Sequence, residues 1–203
     1  DADNSRLGGT IPSAVGYLSN LEYLALSYSS FVGALPTSLG LLSALTALSL
    51  RYTSFTGSIP SQLGYLTKLQ GLYMEGVPFS ETLPSAFGSL FSLTYLSAQY
   101  TSVSGSIPSS FLKLNNLQAL TLEGTLLTGT IPNGAGWEAL SYLDVSYTSI
   151  TGFIPSVLCG NSLTYLDLTG TTGLTCYASC LSTVKSLHHD SLFGCTSSKL
   201  KKY

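Results

Sequence analysis

Charge is scarce in this chain. Of its 203 residues only 9% are Asp, Glu, Lys or Arg, and eight basic against ten acidic side chains leave a formal net charge of −2. Such a balance supplies no basic face for a phosphate backbone, which excludes nucleic acid as a partner. Long apolar runs are missing too. Although 44% of residues are hydrophobic, none of the runs reaches the roughly 20 apolar residues that a membrane-spanning helix needs. The opening residues, DADNSRLGG, are polar and carry no signal-peptide pattern, so any such segment is expected to be removed or to lie outside this chain. None of Asn4, Asn20, Asn115, Asn116, Asn133 and Asn161 starts an Asn-x-Ser/Thr acceptor, so N-linked glycans are not expected. Catalytic signatures are lacking as well: there is no Gly-x-Ser-x-Gly elbow, and GAGW after Asn133 has no strand-to-helix context for a dinucleotide. No enzymatic activity, no cofactor and no metal are expected.

What the chain has is repetition. The stretch YTSFTGSIPSQLGYLTKLQGL from Tyr52 returns at Tyr100 as YTSVSGSIPSSFLKLNNLQAL. Pro12, Pro36, Pro60, Pro84, Pro108 and Pro132 are spaced by 24 residues, and Pro155 follows after 23. Units begin at Leu21, Leu45, Leu69, Leu93, Leu117, Leu140 and Leu163, with apolar residues at fixed offsets, such as Leu45, Leu48, Leu50, Phe55, Ile59, Leu63 and Leu66. One unit cannot enclose its own apolar residues, whereas a stack forms a continuous interior, so the chain is one solenoid.

Each coil reads in order. LTALSL (Leu45 to Leu50) alternates apolar and small residues, the period of a strand with one buried face, and stacked strands make a parallel sheet. A glycine follows (Gly33, Gly57, Gly105, Gly129, Gly152), suited to a tight turn. The next Ser-Ile-Pro holds the backbone extended, and SQLGYL is long enough for a short helical turn that Gly64 is expected to stop.

The consensus LxxLxxLxLxx(T/S)x(F/V/L)xGxIPxxLGxLxx resembles the leucine-rich repeats of the plant extracellular type, as in polygalacturonase-inhibiting proteins and receptor-like kinase ectodomains. The resemblance covers about residues 7 to 174. It implies an α/β solenoid: a right-handed leucine-rich repeat coil with a parallel concave β-sheet, an irregular 3-10 convex side, and a concave surface that binds proteins, peptides or carbohydrates outside the cell. The family's Asn is replaced here by Ser29, Thr53, Val77, Thr101, Thr125, Thr148 and Thr171. Their hydroxyls are expected to bridge adjacent coils in its place. Val77 cannot, and with Pro78 and Glu81 in the same coil a local irregularity is expected there.

The ends depart from the repeat. Residues 1–174 are expected to form about seven to eight coils, the first incomplete, because DADNSRLGGTIP aligns with the middle of a coil and would leave an apolar flank. Residues 175–203 are expected to form a C-terminal cap and basic tail, with a helix over about Ala178 to His188 from the spacing of Leu181, Val184 and Leu187. Cys159, Cys176, Cys180 and Cys195 all fall near this end, which suggests two disulfides and an oxidising compartment. Zinc is the rival reading, but no CxxC pair accompanies His188 to Asp190. Four cysteines allow three pairings; stacking of coils would favour Cys159 with Cys180 and Cys176 with Cys195.

Outward strand positions fall into columns. One holds Tyr23, Ala47, Gly71, Tyr95, Ala119, Tyr142 and Tyr165; the next Ala25, Ser49, Tyr73, Ser97, Thr121, Asp144 and Asp167; the third Ser27, Arg51, Glu75, Gln99, Glu123, Ser146 and Thr169; the fourth Tyr28, Tyr52, Gly76, Tyr100, Gly124, Tyr147 and Gly170. Tyrosines offer a flat apolar face and a hydroxyl at little entropic cost, which suits protein and sugar alike. Tyrosine is also simply favoured on strands. The candidate binding face is Tyr28, Arg51, Tyr52, Tyr73, Glu75, Tyr95, Gln99, Tyr100, Glu123, Tyr142, Asp144, Tyr147, Tyr165 and Asp167. Asp144 and Asp167 on adjacent coils could in principle serve as acid and base, but an open sheet offers no enclosed pocket to tune them. The expected function is a secreted, cell-wall or cell-surface module recognising a secreted protein, peptide or polysaccharide. The alternative is a structural or adhesive component, self-assembling through its first coil or binding ice or another crystal surface through the hydroxyls of Thr56, Ser80, Ser104, Thr128 and Thr151.

Overall fold

A computed structural model of the protein describes residues 2–159, 163–176 and 184–190. The side chains of Cys159, Thr175 and Cys176, the residues Cys180 and Cys195, and the tail lie outside that description, and with them both expected disulfides.

Eight short parallel strands, Tyr23–Ala25, Ala47–Ser49, Gly71–Tyr73, Tyr95–Ser97, Ala119–Thr121, Tyr142–Asp144, Tyr165–Asp167 and Ser186–His188, form one sheet in chain order. Each pairs with the residue one coil away, so Leu24, Leu48, Leu72, Leu96, Leu120, Leu143, Leu166 and Leu187 stack in one row. From Leu48 to Leu166 these leucines have no exposed surface. Burying each is worth roughly 1.5–3 kcal/mol, which only the neighbouring coils make available. The last strand corrects the end of the expected helix, whose residues 178–183 lie outside the described residues: Ser186–His188 extends the sheet by pairing with Tyr165–Asp167. Local helical spacing there is outweighed by the unpaired edge of the strand before it.

Behind the sheet, 3-10 helices run over Ser13–Tyr17, Thr37–Leu41, Ser61–Tyr65, Ser85–Ser89, Ser109–Lys113 and Ser156–Cys159. Pro12, Pro36, Pro60, Pro84 and Pro108 precede the first five in extended conformation, as proline's fixed φ allows. Gly64 lies inside its helix instead of stopping it. A Cβ there would stand 2.5 Å from the Ala86 carbonyl oxygen of the next coil, so the glycine is required by close approach of backbones. The coil after Pro132 is one residue short and carries NGAGW in place of the helical turn; Trp137, fully buried, fills the interior there.

The threonine ladder also differs from expectation. Thr53, Thr101, Thr125 and Thr148 donate their hydroxyls to Leu50, Ala98, Leu122 and Val145 at 2.7–2.8 Å, three residues back in the same coil. Ser29 and Thr171 do likewise to Leu26 and Leu168. At this place in the turn the hydroxyl meets a carbonyl of its own coil and closes that turn, whereas the Thr46 and Thr94 hydroxyls beside the strands do reach the Glu22 and Gln70 carbonyls one coil away. The expected irregularity falls at Val77 to Glu81: the Met74 carbonyl takes Val77's backbone N–H at 3.3 Å, and Glu81 adopts a φ of 69° where other coils have glycine.

A second, interrupted layer of short parallel strands lies where only irregular backbone was expected. It contains Gly8–Gly9, Ser30–Gly33 and Ser54–Phe55, then Ser104–Gly105 with Leu126–Leu127, and Thr151–Phe153 with Gly173–Cys176. At the N-terminal end, the Ala2 and Asn4 amides donate to the Ala25 and Ser27 carbonyls, so this segment runs along the first strand as its alignment implied. Leu18 is 54% exposed there, whereas its counterparts Leu42, Leu66 and Leu90 are fully buried.

Candidate functional site

Alternation along each strand puts the central leucine row inward and the flanking residues on the open face. All fourteen candidate residues lie on this face or at its rim, but they are not equally presented. Glu75 and Asp144 are buried, while Tyr28, Tyr52, Tyr100 and Tyr147 keep 52%, 48%, 55% and 61% of their surface exposed. Ser49, Ser97 and Thr121 form a buried floor between tyrosines.

The mixed patch forms as a set of satisfied contacts. Arg51 Nε lies 3.0 Å from Glu75 Oε2, and its guanidinium carbon sits 4.3 Å from the centre of the Tyr73 ring. Tyr73 in turn packs on Tyr95 with ring centres 5.0 Å apart. Gln99 Nε2 donates to Glu123 Oε2 at 3.3 Å. A hydrogen bond to the Glu123 carboxylate, then burial, pushes the Tyr100 phenol up to about 12, because that bond stabilises the protonated form.

Towards the C-terminal end the face becomes acidic. Asp144 Oδ1 accepts the Ser146 hydroxyl at 2.7 Å and its backbone amide at 3.0 Å. Burial nevertheless raises its pKa, with Asp167 and Glu123 adding to the rise. Burial works the same way on Asp167, but hydrogen bonds from the Thr169 hydroxyl and amide and from Tyr165 outweigh it and hold that carboxyl below its ordinary value. Tyr165 donates to Asp167 Oδ2 at 3.1 Å and stacks on Tyr142, centres 4.1 Å apart at 3°. The sequence reading missed His188, which the last strand brings beside Asp167, with its ring 5.3 Å from Tyr165 and Nε2 2.7 Å from Ser186 Oγ. The signal lay in Ser-Leu-His repeating the pattern of Tyr-Leu-Asp. Among the described residues no group of three His, Cys, Asp or Glu is arranged to hold a metal.

The rim column carries a feature no sequence pattern announced. Tyr28, Tyr52, Tyr100 and Tyr147 have φ of 55°, 52°, 57° and 53°, and Gly76, Gly124 and Gly170 at the same place in other coils have 67°, 64° and 73°. The turn demands a left-handed residue, which glycine supplies freely and a side chain supplies at about 1–2 kcal/mol. Each of the last three tyrosines lies over the next coil's glycine: a Cβ on Gly76, Gly124 or Gly170 would stand 2.5, 2.8 or 2.7 Å from Cδ1 of Tyr52, Tyr100 or Tyr147. Tyr28 instead stacks on Tyr52, centres 5.0 Å apart.

On the side layer, the backbone amides of Thr56, Ser80, Ser104, Thr128 and Thr151 donate to Gly33, Gly57, Glu81, Gly105 and Gly129 at 2.6–3.0 Å. These residues therefore stand in register, and Ser58, Thr82, Ser106 and Thr130 form an exposed column beside them. Glu81 interrupts the grid, and Val32, Ala34 and Phe153 end it.

Residues 44–66 and 139–161 match the family profile described as Leucine Rich Repeat. No curated protein matches the sequence. Among solved structures, a TDR receptor superposes with a TM-score of 0.83 at 30% identity, over 92% of this chain and 33% of that one. The ectodomain of the Arabidopsis receptor kinase HAESA, in complex with an N-terminally extended IDA peptide hormone ligand, matches with a TM-score of 0.75 at 24% identity, over 96% of this chain and 37% of that one. A plant ice-binding protein matches with a TM-score of 0.64 at 21% identity, over 94% and 73%. The chain thus spans about a third of the length of these receptor structures. Repeat matches, parallel sheet and superpositions agree: the chain is a leucine-rich repeat solenoid with the fold of plant receptor-kinase ectodomains.

Proposed function

We propose that the chain is a secreted or cell-surface recognition module that holds a protein, peptide or polysaccharide on its concave, tyrosine-rich face and carries out no chemistry of its own. The observation that carries this reading is the rim column, where four tyrosines are kept half-exposed in left-handed backbone. Exposure returns little of the conformational cost, so the gain is sought in what the rings meet. The peptide hormone held by the HAESA ectodomain supports a peptide among the ligand classes. The test is a screen of secreted peptides and oligosaccharides against the protein and its Tyr52→Gly, Tyr100→Gly, Tyr147→Gly triple variant. A ligand lost by the variant is the expected result, and one bound equally by both overturns the concave site.

A second reading, a structural or adhesive component with an ice-binding or other surface-binding form, is favoured by the in-register hydroxyl grid of the side layer and by the fold shared with a plant ice-binding protein. Ice-crystal shaping that the triple tyrosine variant retains would carry this reading in place of the first.

A further inference from the structure

We infer that the tyrosine rim seats a proline-rich segment in the polyproline II conformation, bearing basic side chains. The inference rests on the recognition reading above and narrows its ligand.

Spacing comes first. Tyr52, Tyr100 and Tyr147 stand on alternate coils, separated by Gly76 and Gly124, and the ring of each covers the glycine that follows it. Coils joined by sheet hydrogen bonds are about 4.8 Å apart, so successive rings recur about every 9.6 Å. A polyproline II chain turns once in three residues at about 3.1 Å each, returning to the same face every 9.3 Å or so. Residues three apart then meet successive rings. An extended strand returns to the same face about every 6.8 Å and falls out of step after one ring. Aromatic-lined surfaces take polyproline II segments because the chain is already ordered and little entropy is lost on docking.

Charge selects the rest of the ligand. Arg51 is the one lysine or arginine in the four outward columns, and it is occupied by Glu75 and the Tyr73 ring. Glu123 and Asp167, both partly exposed, leave the neighbouring columns with an acidic excess. A lysine or arginine interleaved with the prolines would meet carboxylates beside the rings, and ring faces also attract cations. An anionic glycan would be repelled.

The experiment is calorimetric titration with a repeating Lys-Pro-Pro peptide, a repeating Lys-Gly-Gly peptide of equal length and charge, and a neutral β-1,4-linked oligosaccharide. Each is run against the protein and the Tyr100→Gly, Tyr147→Gly double variant. Glycine already occupies this position in neighbouring coils, so the variant is expected to fold, which circular dichroism checks. The expected result is that Lys-Pro-Pro binds roughly tenfold or more tighter than Lys-Gly-Gly and loses a similar factor in the double variant. Equal binding of the two peptides would show charge alone at work and overturn the inference, as would unchanged binding by the variant or no binding of Lys-Pro-Pro. Tyrosine-dependent binding of the oligosaccharide in place of the peptide would also overturn it, while leaving the recognition reading standing.

Discussion

Asp144 and Asp167 occupy the same place on neighbouring coils, yet their carboxyls are driven in opposite directions. Burial raises the first, and hydrogen bonds from Thr169 and Tyr165 overcome burial to lower the second. The folded state therefore holds a proton on Asp144 more readily than the unfolded chain does. Ionising it at neutral pH costs stability, and that cost is relieved as pH falls through its folded pKa. Asp167 contributes in the other sense: its stabilisation is full above the ordinary value of 3.8 and is lost as pH falls through its lower folded value. Thermal midpoints followed from neutral to acid pH should first rise and then fall. Asp144→Asn keeps an oxygen for both Ser146 bonds and should remove the rise while leaving the protein at least as stable at neutral pH. Asp167→Asn should remove part of the later fall. A rise that persists in the Asp144 variant would place its origin elsewhere.

Within a coil, the hydroxyl of each ladder threonine satisfies a carbonyl that water cannot reach. Thr101 is buried and bonds Ala98 at 2.7 Å. Thr101→Val keeps the volume and orphans that carbonyl, which should cost about 1–3 kcal/mol in denaturant unfolding, whereas Thr101→Ser should recover most of it. A valine variant as stable as the parent would mean the turn closes without the hydroxyl, as it does at Val77. This ladder shows where the sequence was legible and where it was not. The apolar offsets determine which residues stack, so the leucine row and the outward columns could be placed residue by residue. The partner of a hydroxyl depends on ångström reach, which a repeat pattern does not contain. Likewise Tyr and Gly alternate visibly at the rim, but that both share a left-handed turn emerges only from the backbone. The last strand was hidden because Leu181, Val184 and Leu187 fit a helical period locally, while the pairing that wins is with Tyr165–Asp167. The side layer escaped notice because its strands are only two to four residues long, too short to show a period.

At the scale of the whole molecule, a solenoid's stability is approximately a sum of coils and their interfaces, so one coil can be removed without destroying the rest. Deleting Leu69 through Ser92 joins Lys68 to Leu93, which is the start of the next repeat, and every leucine stays in register. The deletion removes Gly76, Val77, Pro78 and Glu81, the coil in which the side layer is broken, and it frees Arg51 from Glu75. That arginine side chain is 36% exposed, so the loss leaves no charge buried. The shortened protein should unfold cooperatively at a lower temperature, by a few degrees, because one coil and one interface are lost. It also brings Tyr100 next to Tyr52, so those rings would stack as Tyr28 and Tyr52 do, at 5.0 Å, and no longer stand two coils apart. All four rim tyrosines remain, and Tyr28, Tyr100 and Tyr147 then stand on alternate coils, so three rings still recur at about the interval of three residues of polyproline II. Affinity for the Lys-Pro-Pro peptide should therefore be largely kept although a whole coil is gone. A large loss of affinity in the shortened protein would show that the deleted coil, and not the interval of the rings, holds the peptide, whereas loss of cooperative unfolding would show that this coil, for all its irregularity, holds its neighbours in place.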